Sequence, residues 1–461
     1  MSSDLAKIAF EVACRLQAAG HQAFYVGGCV RDIELGRQPT DYDIATSARP
    51  DEVEALFPYC VPVGRQFGVV MVIKKGYSIQ VATFRTETHY TDGRHPHTIA
   101  FASAREDALR RDFTMNGLFY DPVANTIYDW VGGFKDLLRR KIRTIGPPEK
   151  RFAEDHLRLL RAARFAAQLD FIIEPSTLRA IREFAPAIKK VSAERIRDEL
   201  MKLFHPACAA KGLYWLEHCG LLNFVLPEVA ALHGCAQDPA YHPEGDVFEH
   251  VQKMLELVPP DADPLLPWAV LLHDIGKPPC LQVDAQGRRH FYQHERVGAE
   301  MTDALCRRLR FTNEQRLKLV QCVRSHMKYH QAHKMRRNTL LRLLLQPTAP
   351  LELELHRLDC ASSNRNLSNF EFLEATLHEL QNQPALARPL LSGKDLLALG
   401  MKPGPLIGQL LKKAREKQLQ GELNTPQEAI EWARTQWQRI SQTPPPSETA
   451  SSGTSQDNQS E

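Results

Sequence analysis

The feature that most restricts how this chain can fold is a change in the spacing of its apolar residues near residue 146. Before that point, short β-rich runs alternate with turns. Phe24-Tyr25-Val26 is one; Val69 to Ile73 and Ile79 to Phe84 are two more, joined by Lys74-Lys75-Gly76-Tyr77 in the manner of a β-hairpin. From Arg151 to Leu232 apolar residues recur every three or four positions in Leu-, Ala- and Arg-rich stretches, which predicts helices. A connector from Gly234 to Gly245 opens a third, histidine-bearing region that reaches about residue 365. Gln381 to Pro389 reads as a linker, Leu390 to about Ile440 is helical again, and the Ser-, Thr-, Gln- and Pro-rich end predicts disorder. The expected class is therefore α+β: a small head over 1–145, a helical neck and body over 146–233, a third domain over 234–365, a helical tail over 366–440 and a disordered 441–461.

Composition narrows the function classes. Lys and Arg number 58 against 55 Asp and Glu, so total charge does not advertise a nucleic-acid protein, and any RNA-binding surface has to be local. The 43% apolar fraction supplies ample core, yet no run approaches the ~20 apolar residues that cross a bilayer. Asp4 and Lys7 stand where a secretory leader is apolar, and the ten cysteines form no CxxC pair. These features argue against secreted, membrane, fibrous and zinc-ribbon proteins and set the cytoplasm as the expected location.

Four motifs in the first 165 residues carry chemistry. Phe24-Tyr-Val-Gly27-Gly28-Cys-Val-Arg31-Asp32 predicts strand, turn and helix. Paired glycines let a ligand approach the backbone, amides at a helix start face an anion, and Arg31 adds charge; a simple tight turn would use the same glycines. Ten residues on from Arg31, Asp41-Tyr42-Asp43-Ile44 on an extended strand would put both carboxylates on one face and Tyr42 and Ile44 on the other. Such a pair beside a triphosphate grip is what Mg²⁺-dependent phosphoryl transfer requires, whereas the pair alone reads as two solvated turn aspartates. Arg110-Arg111-Asp112-Phe113-Thr114-Met115-Asn116 combines guanidinium forks for phosphate with acceptors for a ribose hydroxyl, or else a surface ion pair.

In the fourth motif, Glu154 to Phe165, Arg158, Arg161 and Arg164 sweep an arc of about 120° on a helix while Leu159, Ala163, Ala166 and Leu169 pack inward. A basic arc is commonly a solvated face. Asp155 followed by Arg158 suggests more, because a carboxylate accepts and a guanidinium only donates. Cytosine and adenine share an exocyclic amine beside a bare ring nitrogen; uracil and guanine offer the reverse. One such pair can accept C or A and reject U and G without a template.

A second constellation is Leu271-Leu-His273-Asp274-Ile-Gly-Lys277 with His250 upstream and Asp359 downstream. A hydrogen-bonded core histidine is the default for any one of these. Together, His, His-Asp and Asp from three helices can surround one divalent cation and leave positions for water and phosphate.

The segments VGGCVRD, DYDIAT, TFRTETHYTDGRHP, RRDFTMNGL and EDHLRLLRAARF, in this order from Phe24 to Phe165, resemble the class II tRNA nucleotidyltransferases (CCA-adding enzymes) and the bacterial poly(A) polymerases. Ser392 to Leu396 and Gly400 to Gly408 are similar to C-terminal segments of that family. The resemblance implies a polymerase-β-type nucleotidyltransferase head with a mixed antiparallel sheet, followed by helical domains. It also implies template-independent addition of C and A to tRNA 3′ ends from CTP and ATP, with Mg²⁺. Gly27, Gly28 and Arg31 would bind the triphosphate, and Asp41 and Asp43 would hold Mg²⁺ as the catalytic pair. Arg111, Asp112, Asn116, Arg161 and Arg164 would contact the nucleotide, Asp155 with Arg158 would read its base, and Thr83 to Pro96 would form a mobile loop.

Gly117, where the family usually has Ala, and His156, where it often has Pro, depart from the pattern at positions expected to be exposed or small. Val63-Gly-Arg-Gln-Phe67 carries half of a poly(A) polymerase hallmark, so CCA, a single A and poly(A) all stay open as products. The stretch from Pro243 to Ser363 resembles the HD phosphohydrolase superfamily. That implies His250, His273, Asp274 and Asp359 as ligands of Ni²⁺, Co²⁺, Mn²⁺, Fe or Mg²⁺, with His294 and His326 on a second metal or simply on the surface. An HD hydrolase with a retained RNA-binding head is the alternative from another class, and the intact Asp41/Asp43 pair argues against it; a regulatory nucleotide binder without turnover is a third. Lys189-Lys190, the Lys334 to Arg342 stretch and Lys412 to Lys417 are candidate RNA-backbone contacts, or solvated faces.

Overall fold

Seven strands and the helices around them build the N-terminal part of the molecule. The computed structural model describes residues 4–64, 67–90, 96–237, 245–363, 366–381 and 389–442. Arg65 and Gln66 of the hallmark segment, 91–95 of the expected mobile loop, 238–244 of the first connector, 382–388 of the linker and the terminal 443–461 lie outside the described residues. The chain forms two compact units, Met1–Met327 with Glu354–Asn366, and Lys328–Leu353 with Leu367–Glu461.

In the first unit, α1 (Asp4–Ala18) buries Ile8, Val12 and Leu16 on one stripe. It leads into β1 (Ala23–Val26), α2 (Gly28–Glu34), β2 (Asp43–Thr46), α3 (Pro50–Leu56), β3 (Cys60–Gly64), β4 (Val69–Lys74) and β5 (Tyr77–Thr83). A separate antiparallel ribbon, β6 (Arg85–Tyr90) and β7 (Pro96–Phe101), precedes α4 (Ala104–Leu109), a 3₁₀ turn over Thr114–Asn116, β8 (Phe119–Asp121), β9 (Thr126–Tyr128) and α5 (Gly133–Leu138). The sheet order is β3-β4-β5-β2-β1-β8-β9. β2 and β5 run parallel and the other neighbours antiparallel, so the expected mixed sheet is what forms. The β4–β5 hairpin falls where the sequence placed it: Lys75 (φ 49°) and Gly76 (φ 81°) are both left-handed, as a two-residue turn matched to strand twist requires.

Helices then take over: α6 (Pro148–Glu154), α7 (Leu157–Leu169), α8 (Pro175–Phe184), α9 (Ala193–Leu203), α10 (Ala209–His218), α11 (Leu222–Val225) and α12 (Pro227–Ala230). α7 is buried because α9 and α10 both pack on it, with Leu159, Ala163 and Ala166 fully enclosed. Next come α13 (Val247–Glu256), α14 (Leu266–Leu272), α15 (Lys277–Cys280), α16 (His294–Arg308), α17 (Asn313–Tyr329), α18 (Arg337–Leu344) and α19 (Ala349–Ser362). α14 is apolar on every side, and all seven of its residues are buried, which makes it the central helix of this region.

The second unit holds α18 and adds α20 (Ser368–Gln381), α21 (Gly393–Ala398), α22 (Pro405–Leu419) and α23 (Pro426–Gln442). Its cores gather Leu340, Leu344, Leu373 and Leu380 in one cluster and Leu396, Leu410, Ala429 and Ala433 in another. The ten cysteines are free thiols, and no described helix is long and apolar enough to cross a membrane.

Candidate active site

Where the β1–α2 turn meets the start of β2 and the exposed edge of α7, the first unit opens a cavity of about 630 Å³. Its lining includes Gly27, Gly28, Arg31, Asp41, Asp43, Arg111, Asp112, Asn116, Asp155, Arg158, Arg161 and Arg164, so the structure brings together the residues that the sequence assigned to the triphosphate, its metal and its base. Gly27 ends β1 with φ 74°, and a Cβ there would stand 3.4 Å from Arg111 Nη1 and 4.0 Å from Asp43 Oδ2. Glycine is needed at that corner for its positive φ, since a Cβ there would meet its neighbours only at ordinary contact distance.

Asp43 is the first residue of β2 and is flanked by Val26 on β1 and Gln80 on β5. Asp41 lies two positions before the strand begins, a correction to the expectation that both sit on it; Tyr42 and Ile44 are buried as expected. The two carboxylates nevertheless line one cavity and feel each other. Burial, followed by the charge of Asp41, pushes the Asp43 carboxyl up to about 6, against the opposing pull of Arg111. A partly buried pair of like charges is a donor set that a divalent cation would relieve, so these residues fit Mg²⁺.

A chain of polar contacts fixes the cationic wall. Arg31 donates through Nε to Asp32 (2.9 Å) and through Nη1 to Asn116 Oδ1 (3.1 Å), and Asn116 Nδ2 donates to Asp112 Oδ1 (3.2 Å). Asp112 Oδ2 takes a two-pronged contact from Arg161, at 2.9 Å from Nε and 2.7 Å from Nη2. Burial works against the ionised Asp112, but the Arg161 guanidinium more than offsets it and holds the carboxyl down at about 2. Glu199 on α9 stands 3.6 Å from Arg161 and 2.7 Å from Arg164. The Phe165 ring lies beneath three guanidiniums, those of Arg31, Arg161 and Arg164, at 5.3, 5.2 and 4.0 Å, which eases their mutual repulsion.

Asp155 and Arg158 line the cavity with different partners. Asp155 accepts from Arg195 Nη2 (2.8 Å) and from the Leu157 amide (3.0 Å). Arg158 donates to Glu154 (2.7 Å) and to the carbonyls of Arg151 (2.9 Å) and Arg110 (3.3 Å). Sequence reasoning missed Arg195, Glu199, Lys202 and Phe165. Arg195 and Glu199 are four apart on an amphipathic helix, a spacing that puts them on one face and was the available signal.

The two departures from the family pattern are tightly fitted, contrary to expectation. His156 is buried with Nδ1 2.8 Å from the Phe152 carbonyl. At Gly117 a Cβ would approach Val131 Cγ2 to 2.8 Å and Ile145 Cδ1 to 3.0 Å, so the bulk of those two neighbours is matched to a glycine.

The second constellation also assembles, within the same unit. His250 (α13), His273 and Asp274 (the end of α14 and the turn after it), His294 (α16), His326 (α17) and Asp359 (α19) converge, and the first five are buried. His294 and His326 are 6% and 5% exposed, which overturns the surface reading for both. Nδ1 of His273, His294 and His326 lies 2.7–2.8 Å from the carbonyls of Val270, Phe291 and Val323. A carbonyl only accepts, so each Nδ1 carries a proton and each Nε2 faces the carboxylates.

Nε2 of His273 is 3.1 Å from Asp274 Oδ2; those of His294 and His326 are 3.4 and 3.8 Å from Oδ1. His250 Nε2 is 3.2 Å from Asp359 Oδ1. Ligand atoms of His250, His273 and Asp274 all lie within 4.8 Å of one another, as do those of Asp274, His294 and His326, so Asp274 belongs to both groups. Burial pushes His326 down to about 3, with the charge of His273 reinforcing it, which keeps that imidazole neutral. Lys277 Nζ reaches Asp274 Oδ2 and Gln237 Oε1, each at 2.7 Å. Imidazoles and carboxylates aimed at one another fit a divalent cation.

Three family descriptions match successive parts of the chain: Poly A polymerase head domain over residues 23–143, Probable RNA and SrmB-binding site of polymerase A over 170–232, and HD domain over 246–360. The A-adding tRNA nucleotidyltransferase of Deinococcus radiodurans is 36% identical over 425 residues, which is 88% of this chain and 94% of that protein. The CCA-adding enzyme of Geobacillus stearothermophilus is 45% identical over 217 residues, 47% of this chain and 53% of that enzyme. Among solved structures, the Bacillus stearothermophilus CCA-adding enzyme in complex with CTP superposes with a TM-score of 0.66 at 28% identity, covering 95% of this chain and 99% of that one.

Proposed function

The chain belongs to the family of tRNA nucleotidyltransferases, and on that premise we propose that it extends the 3′ end of tRNA with C and A, taken from CTP and ATP without a template. The observation that carries this reading is one cavity in which eight cationic side chains meet five carboxylates, Asp41 and Asp43 among them. A net positive lining suits a nucleoside triphosphate. Mg²⁺ held by Asp41 and Asp43 would activate the attacking 3′-hydroxyl and offset charge on the departing pyrophosphate.

The chain's own residues do the rest. Gly27 and Gly28 let the phosphates approach the backbone, and Arg31 and Arg111 grip them. Asp112, whose oxygens are taken up by Arg161, Asn116 and the Phe113 amide, acts by positioning Arg161 and Asn116. Asp155 accepts from the exocyclic amine of C or A while Arg158 donates to the adjacent ring nitrogen, and Arg195 holds the Asp155 carboxylate in place.

A second reading, addition of A alone, is favoured by one observation: the A-adding relative aligns over 94% of its length and the CCA-adding relative over 53%. Incubating the protein with tRNA ending before CCA, tRNA ending at CC, and an unstructured RNA, with each labelled NTP in turn, separates the readings. CCA addition extends the first two tRNAs, A addition only the second, and poly(A) synthesis extends all three with A. Extension of none overturns the assignment.

The His and Asp cluster supports a second activity, hydrolysis of phosphate esters or cyclic phosphates such as those at damaged RNA ends. A divalent cation there (Ni²⁺, Co²⁺, Mn²⁺, Fe or Mg²⁺) would supply a hydroxide nucleophile near neutral pH. An end carrying a phosphate lacks the free 3′-hydroxyl that the transferase site needs, so removing it restores a substrate.

A further inference from the structure

A second cavity, of about 380 Å³, lies where the C-terminal ends of α8 and α10 meet and shares no lining residue with the nucleotide site. Arg182, Tyr214, Glu217, His218 and Gly220 line it. Tyr214 and His218, one turn apart on α10, stack with their planes 10° apart and centroids 5.5 Å apart. Tyr214 still leaves half of its surface, 50%, to solvent. Arg182 is fixed from the other side: Nε donates to the His218 carbonyl (2.9 Å) and Nη2 stands 3.4 Å from His218 Nε2. Glu217 is steadied by His233, 2.8 Å away. A stacking face, a planar donor and a carboxylate acceptor thus meet in a space larger than one nucleobase, with their side chains already oriented by one another.

Each of these groups has a use against RNA. An aromatic face stacks any base, a guanidinium donates to ring nitrogens, carbonyls and phosphates, and a carboxylate accepts from an exocyclic amine. Two cations follow α8 in the chain. Beyond Phe184 the 3₁₀ segment Ala185–Lys190 packs on α11, the helix that follows Gly220, and ends in Lys189, 5.3 Å above the Phe224 ring, and exposed Lys190. These are lysines for which the nucleotide site has no use.

We propose that this cavity receives one unpaired base of the RNA substrate, at a distance from the 3′ end being extended, with Lys189 and Lys190 taking the flanking phosphates. The proposal rests on the reading that the acceptor is an RNA. The charge balance distinguishes a base in a polymer from a free nucleotide. Arg182 and Glu217 cancel, so the lining has none of the positive excess that phosphates of a mononucleotide would need, while an RNA brings its affinity from contacts elsewhere.

The test compares the full-length wild type with Tyr214→Ala and Tyr214→Phe on tRNA lacking its terminal A, with labelled ATP. Tyr214→Ala should raise KM for tRNA about tenfold, the effect of losing one base–aromatic stack, with KM for ATP and kcat at saturating tRNA unchanged. Tyr214→Phe, which keeps the ring, should behave as wild type. An unchanged KM for tRNA in Tyr214→Ala overturns the proposal. So does a second equivalent of ATP bound by wild type and lost in Tyr214→Ala, which would make a free nucleotide the occupant. If wild type extends no tRNA, the functional reading itself fails. Filter retention of tRNA by the three proteins then decides the cavity separately, and equal retention by all three overturns it.

Discussion

Asp43→Asn should have two opposite effects: it should abolish nucleotide addition and make the metal-free protein more stable. Asp43 is mostly buried at the head of β2, beside Asp41, and these two causes lift its carboxyl from 3.8 to about 6. At about 1.36 kcal/mol per pH unit, the ionised carboxylate weighs against folding by about 3 kcal/mol when fully developed. The sign follows from which state loses its proton first. Below pH 3.8 the group is protonated in both folded and unfolded chains and contributes nothing. Between 3.8 and about 6 the unfolded chain ionises first, so stability falls as pH rises; above about 6 the whole loss is present.

Asparagine is neutral throughout. Urea unfolding in chelator at pH 8 should therefore show Asp43→Asn more stable than wild type by about 2–3 kcal/mol, with the gap closing by about pH 4. Mg²⁺ should then stabilise wild type more than the variant. A variant equal to or weaker than wild type at pH 8 would refute the picture of a half-buried Asp43 repelled by Asp41. Retained nucleotide addition would refute the catalytic assignment.

Asp112→Asn should go the other way, losing about 2 kcal/mol at pH 7, because it strips Arg161 of its two-pronged buried partner. The wild-type advantage is complete above 3.8 and disappears as acid brings the medium down to about 2, which denaturation at several pH values would follow. Asp155→Ala or Arg158→Ala should relax the exclusion of UTP and GTP by roughly 10- to 100-fold, the value of one base-edge contact, read from misincorporation on tRNA; undiminished exclusion would mean that neither reads the base. His273→Ala with Asp274→Ala should remove bound metal and metal-dependent turnover of p-nitrophenyl phosphate and 2′,3′-cyclic AMP while nucleotide addition continues. The same metal-independent background from wild type and variant would leave the region as a helical spacer.

What could be read from the sequence was what is local. The glycine corner after β1, the Lys75-Gly76 hairpin turn and the inward stripe of α7 each follow from a few adjacent residues, and each stands in the structure as read. The twelve residues that line one cavity could be singled out together because their motifs mix charge types that a solvated surface seldom needs so closely spaced. What escaped was pairing across elements. Arg195 meets Asp155 over a separation of 40 residues, and Glu199 meets Arg164 from another helix, contacts that no periodicity encodes. Asp41 was set on a strand by alternation alone. Hydrogen-bonded neighbours on both sides are available only from Asp43 onward, and that is where the strand starts. His156 was misjudged for the same reason: burial is decided by what packs over a position, and the helix pattern around it says little about that.

The parallel pairing of β2 with β5 has a consequence for how the protein is made. β1 is already available when β2 leaves the ribosome, but β5 ends only at Thr83, after α3, β3 and β4 have been added. At roughly 5–20 residues per second, the strand that bears Asp43 spends about 2–7 seconds of synthesis with one side unpaired. During that interval the nascent chain displays Ile44, Ala45 and Thr46, all buried in the finished fold, as an open sheet edge. The segment that later performs the chemistry is thus an open edge for part of the time in which the polypeptide is still growing.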